Sequence, residues 1–185
     1  MVVLKGKEQV LCELSTTLDS IDKQVVAELE QLIVGAREVF FHGLGRSGLC
    51  CRAFAMRLMQ MGLQCNIVGD ILAHPIQTGD LLIIVSASGG ENGLQIIAQK
   101  AKDFGAKFAL VTSNANSPLS KLADIMVAMK APTKDDIGSE RASVMPMGSL
   151  FEETTGLLFD LIIIDLMERL KISNNDMVSH HANLE

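Results

Sequence analysis

The sequence predicts an α/β domain with a doubly wound, parallel, five-stranded sheet flanked by helices, and three observations predict it. Short apolar runs alternate with longer segments of helical period from residue 38 to residue 129. One run, Leu81-Leu82-Ile83-Ile84-Val85, is apolar at five consecutive positions, the pattern of a strand covered on both faces. Two short stretches rich in glycine and serine each follow such a run directly and open a helical segment. Turns of that kind sit at the carboxyl edge of a parallel sheet.

The elements follow in order. Residues 8–35 read as helix, with Val10, Leu11, Leu14, Leu18, Val25, Leu29, Leu32 and Ile33 near helical spacing. Glu38-Val39-Phe40-Phe41-His42 is a first strand that stops in glycines. Residues 47–61 are helical and Gly62 ends them. Asn66-Ile67-Val68 is a second strand and 81–85 a third, and the helix over 91–104 closes at Gly105. Residues 108–112 and 125–129 are the last two strands, with a short helix beginning near Ser117-Pro118 between them. The stretch 130–143, with Pro132, Gly138 and charges at Lys130, Lys134, Asp135, Asp136, Glu140 and Arg141, reads as an exposed loop. Residues 150–170 form a long helix, and the polar tail after it is expected to be disordered. The expectation is one domain over 1–185: a helical segment at 1–36, the α/β core at 37–130, and the C-terminal helix and tail at 144–185.

Composition narrows the function classes. The chain has 185 residues, enough to bury roughly 70% of the surface its unfolded form exposes. Hydrophobic residues make up 48% and charged ones 21%, so the chain is globular rather than disordered. Trp and Tyr are absent, which removes the stacking platforms of single-strand nucleic-acid binders, and a net charge of −6 argues against a nucleic-acid partner. A small phosphorylated ligand needs only a few local donors and stays open. The longest apolar run, 157–166, is broken by Asp160 and Asp165 and is too short to span a bilayer, so no membrane association is expected. Met1 to Leu4 is too short for a signal peptide. Cys12, Cys50, Cys51 and Cys65 form no CxxC pair and read as reduced, buried thiols of a cytoplasmic protein.

Two turns carry the candidate chemistry. In Gly43-Leu44-Gly45-Arg46-Ser47-Gly48, Gly45 and Gly48 let backbone amides approach an anion at a helix N-terminus, Ser47 adds a hydroxyl and Arg46 a cation. The glycines also suit a plain tight turn. In Ser86-Ala87-Ser88-Gly89-Gly90, Ser86 and Ser88 flank a small residue and suit the oxygens of one phosphate, with Gly89 behind them; a serine N-cap is the structural reading. Together the turns are more specific than either, since both can face one crevice. The rival is a dinucleotide fingerprint, because the first turn is formally GxGxxG and Asp70 lies 22 residues after Gly48. Against it stand the polarity of Arg46 and Ser47 and the helical segment before the first strand.

A third feature is Pro146-Met147-Gly148-Ser149-Leu150-Phe151-Glu152, at the start of the long helix. Proton abstraction beside a carbonyl needs a carboxylate or imidazole at the reacting carbon. Glu152 and Glu153 both suit, although acids are favoured in a first turn for helix-dipole reasons alone. Of the histidines, His42 ends the first strand, His74 lies in a loop, and His180 and His181 stand in the tail.

Taken in order, the first turn followed by Ala53-Phe54-Ala55-Met56-Arg57-Leu58-Met59, then Ser86-Ala87-Ser88-Gly89, the stretch 146–152 and His181-Ala182-Asn183-Leu184-Glu185 resemble the 6-phospho-3-hexuloisomerases, a family of the SIS (sugar isomerase) domain with a flavodoxin-like fold. The resemblance runs from about residue 38 to the C-terminus. It implies interconversion of D-arabino-3-hexulose 6-phosphate and fructose 6-phosphate through a cis-enediol, without cofactor or metal. It also implies a homotetramer with shared active sites. By resemblance, Glu152 is the base, and His181 is a tail histidine that serves a neighbouring subunit's site. A non-catalytic module that senses a sugar phosphate is the alternative. One departure stands out: Gly90-Glu91 replaces the family's Glu-Thr after the second turn. Glu91 is expected to turn outward as a helix N-terminal acid.

Overall fold

The structure, a computed structural model, describes residue 4, residues 6–133 and residues 143–184. Two helices open it, α1 (Lys7–Asp19) and α2 (Lys23–Gly35), where the sequence suggested one. The break has a local cause. Thr17 and Ser20 donate their hydroxyls back to the carbonyls of Glu13 and Thr17, and Asp22 caps the next helix by accepting from the Gln24 amide at 2.8 Å.

Then come β1 (Val39–Gly43), α3 (Gly45–Gln60), β2 (Cys65–Ile67), β3 (Leu81–Val85), α4 (Asn92–Asp103), β4 (Lys107–Thr112) and β5 (Ile125–Ala128), and finally α5 (Ser149–Leu170) and α6 (Asn174–Ser179). All strand pairs are parallel, in the order β2-β1-β3-β4-β5. The expected five-stranded fold is therefore present. The short helix expected near Ser117 is not. Asn114, Ser117 and Ser120 bond neighbouring backbone and one another, and these side-chain bonds replace a helical ladder.

The strand pattern explains the layers. In β3, Leu81, Ile83 and Val85 face one core with Phe41, Phe54, Phe151 and Ile162, while Leu82 and Ile84 face a second core with Phe40, Leu94 and Phe108. The first core is covered by α2, α3 and α5, and the second by α4. All five β3 residues are fully buried, which is why the run shows no polar alternation. The tail is ordered through α6: a capping box joins Ser173 and Asp176, and Met177 is buried against the first core. Disorder there was the wrong expectation, because Met177, with Ile172 packed against the same core, anchors the turn. Among the described residues no helix is long and apolar enough to cross a membrane. Most of the stretch 130–143, and Glu185, lie outside the described residues.

Candidate active site

In this strand order the chain leaves β1 for one side of the sheet and returns to place β3 on the other side. A crevice therefore opens beyond the carboxyl ends of β1 and β3. Gly43 and Val85 are partners in that register, so the two glycine–serine turns start side by side.

The first turn is set by its glycines. A Cβ on Gly48 would lie 2.5 Å from the Gly43 carbonyl oxygen, so α3 can begin this close to β1 only with glycine there. The helix starts at Gly45, two residues earlier than expected. Gly45 itself is left-handed, with φ +56°, and the amides of Arg46 and Ser47 that follow it have no carbonyl partner within the helix, as at every helix start. The Gly48 amide instead donates to the Leu44 carbonyl at 3.4 Å, so it serves the helix rather than a ligand.

Arg46 does not face the serines. Its Nε donates to Glu152 Oε2 at 2.5 Å and its Nη2 to Glu153 Oε1 at 2.5 Å, forking the two acids at the start of α5. The hydrogen bond and charge of Glu152, with a smaller contribution from Glu153, hold the guanidinium above its ordinary pKa. The sequence placed Arg46 at the phosphate because its partners lie far along the chain and no local pattern announces them.

The second turn holds its own anion. Ser86 donates to Glu91 Oε2 and Ser88 to Glu91 Oε1, both at 2.7 Å. The Gly89 amide donates to Ser86 Oγ at 2.9 Å. Gly89 has φ +63°, and a Cβ there would meet Ser117 Oγ at 2.2 Å. Glu91 is the N-cap of α4 but makes no capping bond. The outward orientation expected for it is thus corrected: two hydroxyl donors draw the carboxylate back over the turn.

Both turns border one cleft of about 210 Å³, lined among others by Ser47, Ser86, Ser88, Glu91, Met147 and Glu152. Met147 has φ 57°, an uncommon left-handed conformation for a non-glycine residue, directly before the Gly148 that caps α5. Glu152 also borders a second, larger groove of about 540 Å³ between α3 and α5, which it shares with Arg46 and Glu153. The Glu152 side chain is 18% exposed and that of Glu153 52%. Glu152 is therefore the acid that faces the serine cleft.

Other candidates fall elsewhere. His181 does not line this cleft; it is exposed, and its Nδ1 lies 2.8 Å from the Ala182 carbonyl. His42 is half-buried, and burial holds its pKa below the ordinary value. Asp70, the acid a dinucleotide site would need, accepts from Arg52 at 2.9 and 3.2 Å. Of the cysteines, Cys51 alone is fully buried; Cys50 and Cys65 are half-buried and Cys12 is exposed, so the expectation of four buried thiols was too broad. Burial pushes the Cys51 and Cys65 thiols up to about 12.

Residues 32–152, which include both turns and the start of α5, match the model of the SIS domain. The chain belongs to the SIS domain family. Relatives of this SIS domain span its length: 3-hexulose-6-phosphate isomerase of Bacillus subtilis is 40% identical over 96% of each chain. The enzyme of that name from Mycobacterium gastri is 39% identical over 94% of this chain and 86% of its own. A hypothetical protein of Methanococcus jannaschii, whose crystal structure infers 3-hexulose-6-phosphate isomerase function, superposes with a TM-score of 0.86 at 28% identity. That match covers 98% of this chain and all of the other.

Proposed function

We propose that the chain is a sugar-phosphate isomerase that interconverts D-arabino-3-hexulose 6-phosphate and fructose 6-phosphate. The observation that carries the reading is the meeting of Ser47, Ser86, Ser88 and Glu152 on one cleft at the switch point of the sheet. Near-full-length likeness to proteins named for that activity supports the substrate.

In this reading the phosphate sits on the hydroxyls of Ser47, Ser86 and Ser88. The first turn of α3, with Gly45 and Gly48 shaping it, supplies amides and partial positive charge, and Gly89 shapes the second turn. Arg46 holds Oε2 of Glu152. The other oxygen, Oε1, would lie 3.9 Å from a Cβ built on Gly148 at the cleft edge. That carboxylate takes the proton from carbon three of the open-chain ketose, giving a cis-2,3-enediol, and returns it to carbon two. The reverse direction starts at carbon two. The electrons stay within the sugar, so the reaction as written calls for no redox cofactor.

His181 completes the proposal as a group supplied by another copy, moving protons on sugar oxygens, including ring opening of fructose 6-phosphate. The assembly we have in mind is a homotetramer of single-domain chains, 1–185, acting in the cytoplasm. Exposed apolar side chains on α3 and α5, among them Leu49, Met56, Leu157, Leu161 and Ile164, support association through that face.

Incubation with fructose 6-phosphate in deuterated buffer, followed by NMR, tests the reading. Deuterium at carbon three with appearance of the 3-hexulose phosphate is the expected result. Binding without exchange would make the chain a sensing module, and neither binding nor exchange would overturn the assignment altogether.

A further inference from the structure

The serine pair in the turn after β3 is already occupied, and the occupant is a side chain of the same turn. Ser86 and Ser88 each give their hydroxyl hydrogen to a different oxygen of Glu91, at 2.7 Å. Each hydroxyl oxygen also accepts a backbone amide, Gly89 at 2.9 Å onto Ser86 and Gly90 at 3.3 Å onto Ser88. A serine has one hydrogen to donate. While Glu91 stays there, neither hydroxyl has one for a phosphate. The backbone of Glu91 can stay in place while the serines are released: its φ of −70° and ψ of 118° are relaxed, and its carbonyl accepts from the Leu94 and Gln95 amides at 3.1 and 3.2 Å as the start of α4. Displacing the carboxylate from the serines therefore asks for a turn of the side chain and not of the helix start.

We infer that Glu91 sets the affinity of this site, as a resident carboxylate that the sugar's phosphate must displace from Ser86 and Ser88. The inference rests on the reading that the phosphate sits on these two serines. A carboxylate and a phosphomonoester cannot share the same two hydrogens, and close like charges repel, so binding exchanges one anion for the other. The observed affinity is then the intrinsic one multiplied by the fraction of molecules with Glu91 swung away. A neutral sugar has no anion to place on the two hydroxyls, so it leaves Glu91 where it is and its binding does not depend on that residue.

Calorimetric titration of the full chain with fructose 6-phosphate, and with fructose as the neutral control, tests this. Glu91→Thr is expected to tighten fructose 6-phosphate binding about tenfold, the factor for a carboxylate resident roughly 90% of the time. Glu91→Gln should tighten it less, about threefold, because an amide oxygen still accepts from the serines but carries no charge. Fructose binding should stay unchanged, and adding Ser88→Ala to Glu91→Thr should remove the gain. Thermal unfolding of each variant checks the fold, and Glu91→Gln, which is close in shape, carries the test if the threonine variant is unstable. Unchanged or weaker fructose 6-phosphate binding in both Glu91 variants, with Ser88→Ala still damaging, overturns the role of Glu91 and leaves the serine site standing. Should Ser88→Ala have no effect in the Glu91→Thr background, the phosphate lies elsewhere and both ideas fall.

Discussion

The two ends of the sheet are built from the same kinds of side chain and use them in opposite ways. At the amino end, Glu38 and Asp80 stand just before β1 and β3 and are 7% and 1% exposed. Glu38 accepts from Arg37 and Asn66 at 2.7 Å each and faces His74 Nδ1 at 2.9 Å. Asp80 Oδ2 accepts from Arg37 at 2.9 Å and from the Gln77 amide at 2.8 Å; Oδ1 of Asp80 lacks a partner among the described residues. At the carboxyl end, Glu152 and Glu91 are also held, but by Arg46 and the serines, on the walls of an open cleft. A charged cluster whose bonds close on one another in the interior stiffens the fold. One whose bonds border a cleft can trade them for a ligand.

Substitutions at the two ends should therefore separate turnover from stability. The largest effect expected is that of Glu152→Gln, which removes the proposed base and keeps its shape. Isomerisation should fall by about a thousandfold or more, within the range typical of general-base loss, while the melting temperature hardly moves. Glu38→Gln should do the reverse. Replacing a buried, multiply bonded carboxylate by an amide should cost about 2–3 kcal/mol, roughly 5–10 °C in melting temperature, with the rate per folded molecule unchanged.

The pH dependence of that second effect has a definite sign. Burial alone would raise the Glu38 pKa, but the bonds from His74, Asn66 and Arg37 outweigh burial and hold it below the ordinary range. The unfolded chain then takes up the proton more readily. The contribution of Glu38 is complete above its unfolded value of about 4.3 and is lost as pH falls through the lower, folded one. In urea titrations the gap between wild type and Glu38→Gln should hold above that value and close below about pH 4. A gap that persisted unchanged to pH 3 would mean that the amino-end acid stabilises by packing and not by charge.

How legible each end was in the sequence follows from the range of its contacts. The strands were legible because two-sided burial leaves an uninterrupted apolar run, as at 81–85. The two turns were legible because glycine and serine after such a run report a close approach and a hydroxyl pair within six residues. The acid partners of Arg46 went unforeseen because Glu152 and Glu153 are more than a hundred residues away, and a cation among glycines looks like an anion ligand. Glu91 was misjudged because the helix dipole is a weak pull beside two hydroxyl donors only three and five residues back. The amino-end cluster went unread for a similar reason: His74 and Asn66 reach Glu38 from a loop and a strand that no periodicity connects.

The choice between adjacent acids is the finest test of the contrast. Successive helical residues point about 100° apart, so only one of Glu152 and Glu153 can face the serine cleft, and Arg46 spans both. Arg46→Lys keeps the charge but loses the fork, and should lower the rate about tenfold with little change in KM, since the base is mispositioned rather than removed. Glu153→Gln releases one arm of that fork on the more exposed side, and should change the rate by less than about threefold. A loss in Glu153→Gln as deep as that of Glu152→Gln would transfer the base to Glu153. The serine cleft would then no longer be where the proton moves, and the carboxyl end would have to be redrawn around the groove between α3 and α5.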